Sequence, residues 1–186
     1  MAKKIGAIVS LSIIGILILA TIIMANVNVN YSVNCATPTT VYVSYGGKSE
    51  RDAQANTNAI IELVENASKE KSLTALFNGT LGKKAKVVAV SSVGKTLPSN
   101  NCFYVRYRYE SAQKLMEGKK EYKDSNGAVV YFDDLVFEIK DLAGTNVVNV
   151  YVIPDSAYAK VYTYCYELEA DFEALYDFLA EKEYNI

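Results

Sequence analysis

The feature that most constrains this chain is an uncharged N-terminal stretch: no acidic or basic residue occurs between Lys4 and Lys48. Within it, residues 5–24 are apolar apart from a few glycine, serine and threonine residues. At about 1.5 Å per helical residue this run reaches roughly 30 Å, the thickness of the hydrocarbon core of a bilayer. The sequence therefore predicts a transmembrane helix at residues 5–24 that anchors the chain to membrane lipid.

The basic residues around this run predict its orientation. Lys3 and Lys4 precede it, and basic flanks remain cytoplasmic. We therefore expect a single-pass protein of the cell membrane with a cytoplasmic tip, an anchor, an extended juxtamembrane segment and an extracytoplasmic domain, at residues 1–4, 5–24, 25–39 and 40–186. The alternative is a signal peptide cleaved near Ala25, which would give a secreted domain. The apolar run exceeds the roughly 7–15 residues of a signal-peptide core, which favours the uncleaved anchor.

Composition excludes several classes of function. The formal net charge is −2 and no dense basic cluster occurs, which argues against a nucleic-acid partner. The chain has no histidine, so a histidine-based catalytic triad or a histidine metal site is impossible. Three cysteines, an odd number, do not describe a disulfide framework. Cys102 and Cys165 both fall in strand-like segments, where they either pair with each other or are buried as small apolar residues.

Hydrophobic periodicity predicts an α+β fold. Strands are predicted at residues 27–34, 40–45, 87–90, 103–110, 129–132, 135–139, 147–153 and 161–168. Ser49 and Asp52 resemble a capping box, which predicts a helix from there to Ala67, and a second short helix is predicted at residues 72–77. A C-terminal helix is predicted after Asp171, with Phe172, Leu175, Tyr176 and Leu179 on its apolar face.

Clustered helices beside a run of strands indicate one domain with a curved antiparallel sheet packed on helices. In layout alone, a helix held in a curved sheet resembles cystatin-like and nuclear-transport-factor-like rolls. The run Asp124-Ser125-Asn126-Gly127 predicts a tight turn, and Asp133-Asp134 predicts a bulge or a loop between strands.

Each catalytic or metal motif fails a check of its spacing. Gly46-Gly47-Lys48-Ser49 follows a strand, but the position at which a phosphate-binding loop needs its first glycine holds Tyr42. A calcium loop that began at Asp124 would need an acid at Leu135. Ser-x-x-Lys occurs three times, which shows how little this pattern discriminates; the pairs are Ser68/Lys71, Ser92/Lys95 and Ser111/Lys114. We therefore predict no catalytic residue, no metal and no cofactor.

Alternate positions of two predicted strands hold the candidate ligand-binding residues, tyrosine and arginine in one strand and tyrosine alone in the other. They are Tyr104, Arg106, Arg108, Tyr162, Tyr164 and Tyr166. Tyrosine and arginine anchor many interfaces, so the two sets could line a groove for a sugar or a peptide. The alternative is a half-buried sheet face that packs against a helix.

The sequence therefore predicts a membrane-anchored extracytoplasmic domain that binds or scaffolds and is not an enzyme. One alternative is a Ser/Lys or carboxylate-dependent hydrolase that acts on cell-surface material. Another is an accessory subunit of a membrane complex, in which small residues of the anchor would let a protein partner approach closely.

Overall fold

The structure is a computed structural model that describes residues 2–30, 33, 36–67, 69–71, 85–90, 101–140, 148–154, 164–168 and 170–186. Its helices are α1 (Ala2–Asn26), α2 (Thr57–Ala67) and α3 (Glu173–Glu181), and a 3-10 helix covers Gln54–Asn56. Its strands are β1 (Asn28–Asn30), β2 (Thr40–Tyr45), β3 (Arg51–Asp52), β4 (Lys69–Lys71), β5 (Lys86–Ala89), β6 (Cys102–Lys114), β7 (Met116–Glu117), β8 (Lys120–Glu121), β9 (Tyr131–Lys140), β10 (Val148–Pro154) and β11 (Tyr164–Leu168).

The described residues form two compact units. The first unit contains α1, β1 and β4. Of the described helices, α1 is the one that is long and apolar enough to cross a membrane. The valine, leucine and isoleucine side chains described on α1, from Val9 onward, are exposed, from 52% at Val9 to 69% at Leu11.

The second unit is built on a seven-stranded antiparallel sheet with the strand order β3-β2-β6-β9-β10-β11-β5. The long strands β6 and β9 occupy its centre and pair with each other. Helices beside an antiparallel sheet confirm the predicted α+β class.

One face of this sheet carries the main core. A single row of paired residues crosses six strands on this face and is almost fully buried; it consists of Val43, Val105, Phe137, Val150, Tyr166 and Val87. The ring of Phe137 lies 6.3 Å from that of Phe172, and Phe103 lies 5.0 Å from Tyr176 on α3. We call this side of the sheet the helix-packed face.

The neighbouring row of residues lies on the opposite side, because successive residues of a strand belong to opposite faces. This row consists of Tyr42, Arg106, Val136, Tyr151, Cys165 and Val88. We call this side the arginine face. It has a small apolar cluster of its own, formed by Cys102, Tyr104, Val136 and Cys165.

Several local predictions are confirmed. The strand predicted at residues 103–110 forms as part of β6, and its residues Phe103, Val105, Tyr107 and Tyr109 are buried. The predicted turn forms at residues 124–127, where the Asp124 carboxylate accepts hydrogen bonds from the backbone N–H groups of Asn126 and Ala128, both at 2.9 Å. Gly127 has φ +80°, a conformation that glycine adopts without strain.

The predicted bulge is also present, at Asp133, where the register of β9 against β10 shifts by one residue. The two strands predicted at residues 129–132 and 135–139 are therefore one strand, β9. Phe132 is buried against Tyr109, with ring centroids 5.8 Å apart. The extra residue lets Phe132 and Leu135 both enter the core, although an unbroken alternation would separate them.

The predicted start of the first helix of the domain is wrong. Arg51 and Asp52 pair with β2 as the edge strand β3, so no helix begins at Ser49. The Asp52 carboxylate accepts a hydrogen bond from the N–H of Gln54 at 2.8 Å, and α2 begins at Thr57. Within the range of the predicted helix, Ala53, Ile60 and Val64 are buried. The helix predicted at residues 72–77 and the first part of the strand predicted at 161–168 lie outside the described residues.

The two strand cysteines do not pair with each other. Cys102 is on β6 and Cys165 on β11, and β9 and β10 lie between these strands. Three strand spacings of about 4.8 Å separate them by far more than the Cα distance that a disulfide allows. Both thiols are buried, as the apolar interpretation predicts.

Candidate functional site

An ion-paired cluster at one end of the arginine face is the candidate functional site. We define the arginine cluster as Tyr42, Glu50, Arg106, Arg108 and Asp134. β6 lies between β2 and β9, so Arg106 is opposite Tyr42 on one side, and Arg108 is opposite Asp134 on the other. Glu50 comes from the turn between β2 and β3.

Asp134 joins the two arginines. Its Oδ1 lies 3.1 Å from Nε of Arg108 and its Oδ2 lies 3.2 Å from Nη2, so this pair is bidentate. The same Oδ2 lies 3.5 Å from Nη1 of Arg106. Bidentate pairing fixes the plane of a guanidinium as well as its position. The hydrogen bond to Asp134 also raises the pKa of Arg108 above its usual value.

Tyr42 and Glu50 complete the cluster. The guanidinium carbon of Arg108 lies 5.5 Å from the centroid of the Tyr42 ring, a cation–π distance. Nη2 of Arg106 lies 2.7 Å from Oε1 of Glu50. Two cations therefore face two carboxylates, and the cluster has no net charge.

The cluster has a buried inner end and an exposed outer end. The exposed fractions of the side chains are 9% for Asp134, 13% for Arg106, 38% for Glu50 and 49% for Arg108. Within the described part of the chain, the buried Nε of Arg106 has no hydrogen-bond partner. Arg108 thus presents a fixed guanidinium to solvent, while Arg106 and Asp134 support it from below.

This arrangement suits recognition better than proton transfer. An arginine stays charged at every physiological pH, so neither guanidinium can act as a base. Guanidinium groups that are fixed in advance lose little side-chain entropy when they donate to a carboxylate or a carbonyl oxygen. The cluster can therefore anchor a contact with another molecule.

The structure does not bring the six predicted ligand-binding residues to one surface. Arg106 and Arg108 are in the arginine cluster, and Tyr104 lies on the same face but is 5% exposed. Tyr164 and Tyr166 lie on the helix-packed face, because Tyr166 is in the row of Val105 and Phe137. A groove lined by both sets is therefore not formed by the described residues. Tyr162 lies outside them.

Tyr164 and Tyr166 instead hold the segment after β6 against the sheet. The Tyr166 hydroxyl donates to the carbonyl of Met116 at 2.8 Å and accepts from its N–H at 3.3 Å. The Tyr164 ring lies 5.3 Å from that of Tyr122, and burial there raises its pKa. These contacts agree with the half-buried sheet face that was the alternative interpretation of the tyrosine pattern.

The motif for a serine nucleophile does not acquire the geometry it needs at the described pair. Ser111 and Lys114 are both exposed residues of β6. The Lys114 Nζ lies 2.5 Å from Oε1 of Glu121, not beside the serine hydroxyl. A helical turn, which would bring a lysine three residues on next to the serine, is absent there. Ser68 and Ser92, the serines of the other two pairs, lie outside the described residues.

The glycine run after β2 forms a turn and not a phosphate cradle. Gly46 has φ +57° and its N–H donates to the carbonyl of Cys102 at 2.9 Å. The Lys48 ammonium donates to the carbonyl oxygen of Asn185 at 2.6 Å. The lysine that a phosphate loop would direct to its ligand is thus hydrogen-bonded to Asn185.

Sequence reasoning missed three of the five cluster residues. Tyr42 and Asp134 were noticed for other reasons, and Glu50 was not singled out. The alternation of Arg106 and Arg108 placed both on one face. The partners of the two arginines, Tyr42 and Asp134, follow from the pairing of β6 with β2 and β9, and local sequence patterns do not predict that pairing.

Comparisons with protein-family models, with curated proteins and with solved structures find no match for this chain.

Proposed function

We propose that this chain is a single-pass membrane protein whose α+β domain lies outside the cell and binds another molecule without catalysis. The observation that carries the proposal is α1, a helix of 25 residues whose valine, leucine and isoleucine side chains are exposed from Val9 onward. Burying that surface in lipid removes it from water at roughly 25 cal/mol per Å² of apolar area.

The polar groups of α1 support this placement. The Thr21 hydroxyl donates to the carbonyl of Leu17 at 2.9 Å, and the Asn26 amide donates to that of Ile22 at 2.8 Å. Side-chain donors satisfied by the helix itself lower the cost of entering lipid, where water is absent. Lys3 and Lys4 at the start of the chain favour a cytoplasmic N-terminus.

The arginine cluster supports binding. Its partly exposed guanidinium, its aromatic neighbour and its rigid support on central strands are features of residues that dominate interfaces. The failure of the Ser111/Lys114 pair to form a catalytic arrangement supports a role without catalysis.

Membrane fractionation tests the proposal. The full-length chain, with a C-terminal tag, is expressed in a bacterial host, and its membranes are washed with alkaline carbonate. We expect the chain to stay in the pellet with an intact mass that includes residues 1–25. A serine-reactive probe should not label it. Recovery in the cytosol would contradict the proposal, and a mass that lacks those residues would identify a cleaved signal peptide.

A further inference from the structure

We propose that Lys69 and Lys71 bind the phosphate groups of anionic lipids in the outer leaflet of the membrane that α1 crosses. The inference rests on the proposed function, because it takes α1 to be a membrane anchor. It goes beyond that function by naming a second contact with the bilayer and the lipid class that it selects.

The pairing of β1 with β4 carries the inference. Asn28 is opposite Lys71, Val29 is opposite Glu70, and Asn30 is opposite Lys69. Paired residues of antiparallel strands have Cα atoms about 5 Å apart. The fold thus places two lysines beside the residues that directly follow the anchor, although more than 40 residues separate them from α1 in sequence.

The distance from the bilayer core is short. α1 ends at Asn26, and β1 begins two residues later. From Met24, the last residue of the apolar run, the backbone reaches at most about 10 Å to Asn28, opposite Lys71, and at most about 17 Å to Asn30, opposite Lys69. The headgroup layer extends about 5–8 Å beyond the hydrocarbon, and charge acts across about 10 Å at moderate ionic strength. Lys71 therefore lies close to the headgroup phosphates, and Lys69 lies within the distance over which their charge acts.

The charges of β4 favour anionic lipid. Lys69 and Lys71 are alternate residues of the strand, and alternate residues belong to one face. Glu70, between them, belongs to the other face, and its negative charge offsets one of the two positive charges. Each lysine ammonium group near an anionic membrane surface increases the binding constant of the protein for that surface by about fivefold.

Lipid selectivity of the full-length chain is the test. The chain is reconstituted into phosphatidylcholine vesicles that contain some phosphatidylglycerol, and electron spin resonance measures how strongly spin-labelled molecules of each lipid associate with it. We expect a preference for phosphatidylglycerol that decreases severalfold in the double variant Lys69→Gln/Lys71→Gln. The variant Glu70→Gln should increase the preference. Lys3 and Lys4 remain in every variant, so they do not enter the difference.

The matched control is Lys119→Gln/Lys120→Gln, which removes the same charge from two exposed residues, one in the turn before β8 and one at the start of β8. We expect it to keep the wild-type preference. An equal decrease in both double variants would assign the preference to net charge and overturn the inference. If every variant enters the vesicles and shows the wild-type preference for phosphatidylglycerol, the inference about Lys69 and Lys71 is overturned, whereas the proposal that α1 is a membrane anchor is not. A chain that does not float with the vesicles would overturn the anchor and the inference together.

Discussion

At the scale of single residues, Asp134 determines the arrangement of the candidate site. Its carboxylate is almost fully buried and contacts both arginines. Removing a carboxylate from water costs several kcal/mol, and only well-placed donors offset that cost. If Asp134 lost its charge, the largely buried Arg106 would keep only one charged partner, Glu50, which lies on its outer side.

We expect Asp134→Asn to lower the free energy of unfolding by about 3 kcal/mol, since it leaves a buried cation without its inner partner. Urea unfolding of the detergent-solubilised chain measures this change. The control is Glu121→Gln, which breaks the exposed pair with Lys114 and should have no measurable effect, because solvent screens such pairs. Equal effects of the two variants would show that the cluster is not a buried network.

At the scale of elements, the C-terminal residues hold the turn that carries Glu50. Arg51 donates to the carbonyl oxygens of Glu183 at 3.2 Å and Ile186 at 2.5 Å. The buried Tyr184 hydroxyl accepts from the Asn56 amide at 3.0 Å. The segment after α3 therefore contacts β3 and the 3-10 helix that follows it, and through β3 it adjoins the turn of the arginine cluster.

Arg51→Gln should loosen this connection. We expect about fivefold faster hydrogen exchange at the amides of Tyr184 and Ile186, because losing such contacts costs about 1 kcal/mol of local stability. Exchange at the amide of Tyr176, inside α3, should not change. Lys119→Gln serves as the charge-matched control. Unchanged exchange at Tyr184 and Ile186 would show that the segment does not depend on Arg51.

The elements also show what the sequence can and cannot predict. β2, β6 and α3 have strong local patterns, and their existence was predicted correctly, as was the apolar face of α3, where Leu175 and Leu179 are buried. The start of α2 was not, because Arg51 and Asp52 form a strand only by pairing with β2. Whether Tyr166 on β11 lies on the same face of the sheet as Arg106 on β6 depends on the register of three successive strand pairings. Register is not a local property of the sequence.

At the scale of the whole molecule, we propose that the helix α1 of the first unit is surrounded by lipid and that the sheet unit is surrounded by water. The valine, leucine and isoleucine side chains of α1 are exposed from Val9 onward, whereas the sheet unit buries apolar side chains in a core of its own. A helix with no polar face is not stable in water as a surface element. The account therefore depends on α1 crossing a membrane and leaving the sheet unit on the outer side.

Protease protection tests that claim most directly. Protease is added to spheroplasts that express the full-length chain with a C-terminal tag, and a cytoplasmic protein serves as the internal control. Lys3→Glu/Lys4→Glu is the matched variant, because it removes the charges that set orientation and should leave part of the chain protected. The account predicts that the wild-type tag is lost while the cytoplasmic protein survives. A tag that survives until the spheroplasts are lysed would contradict it.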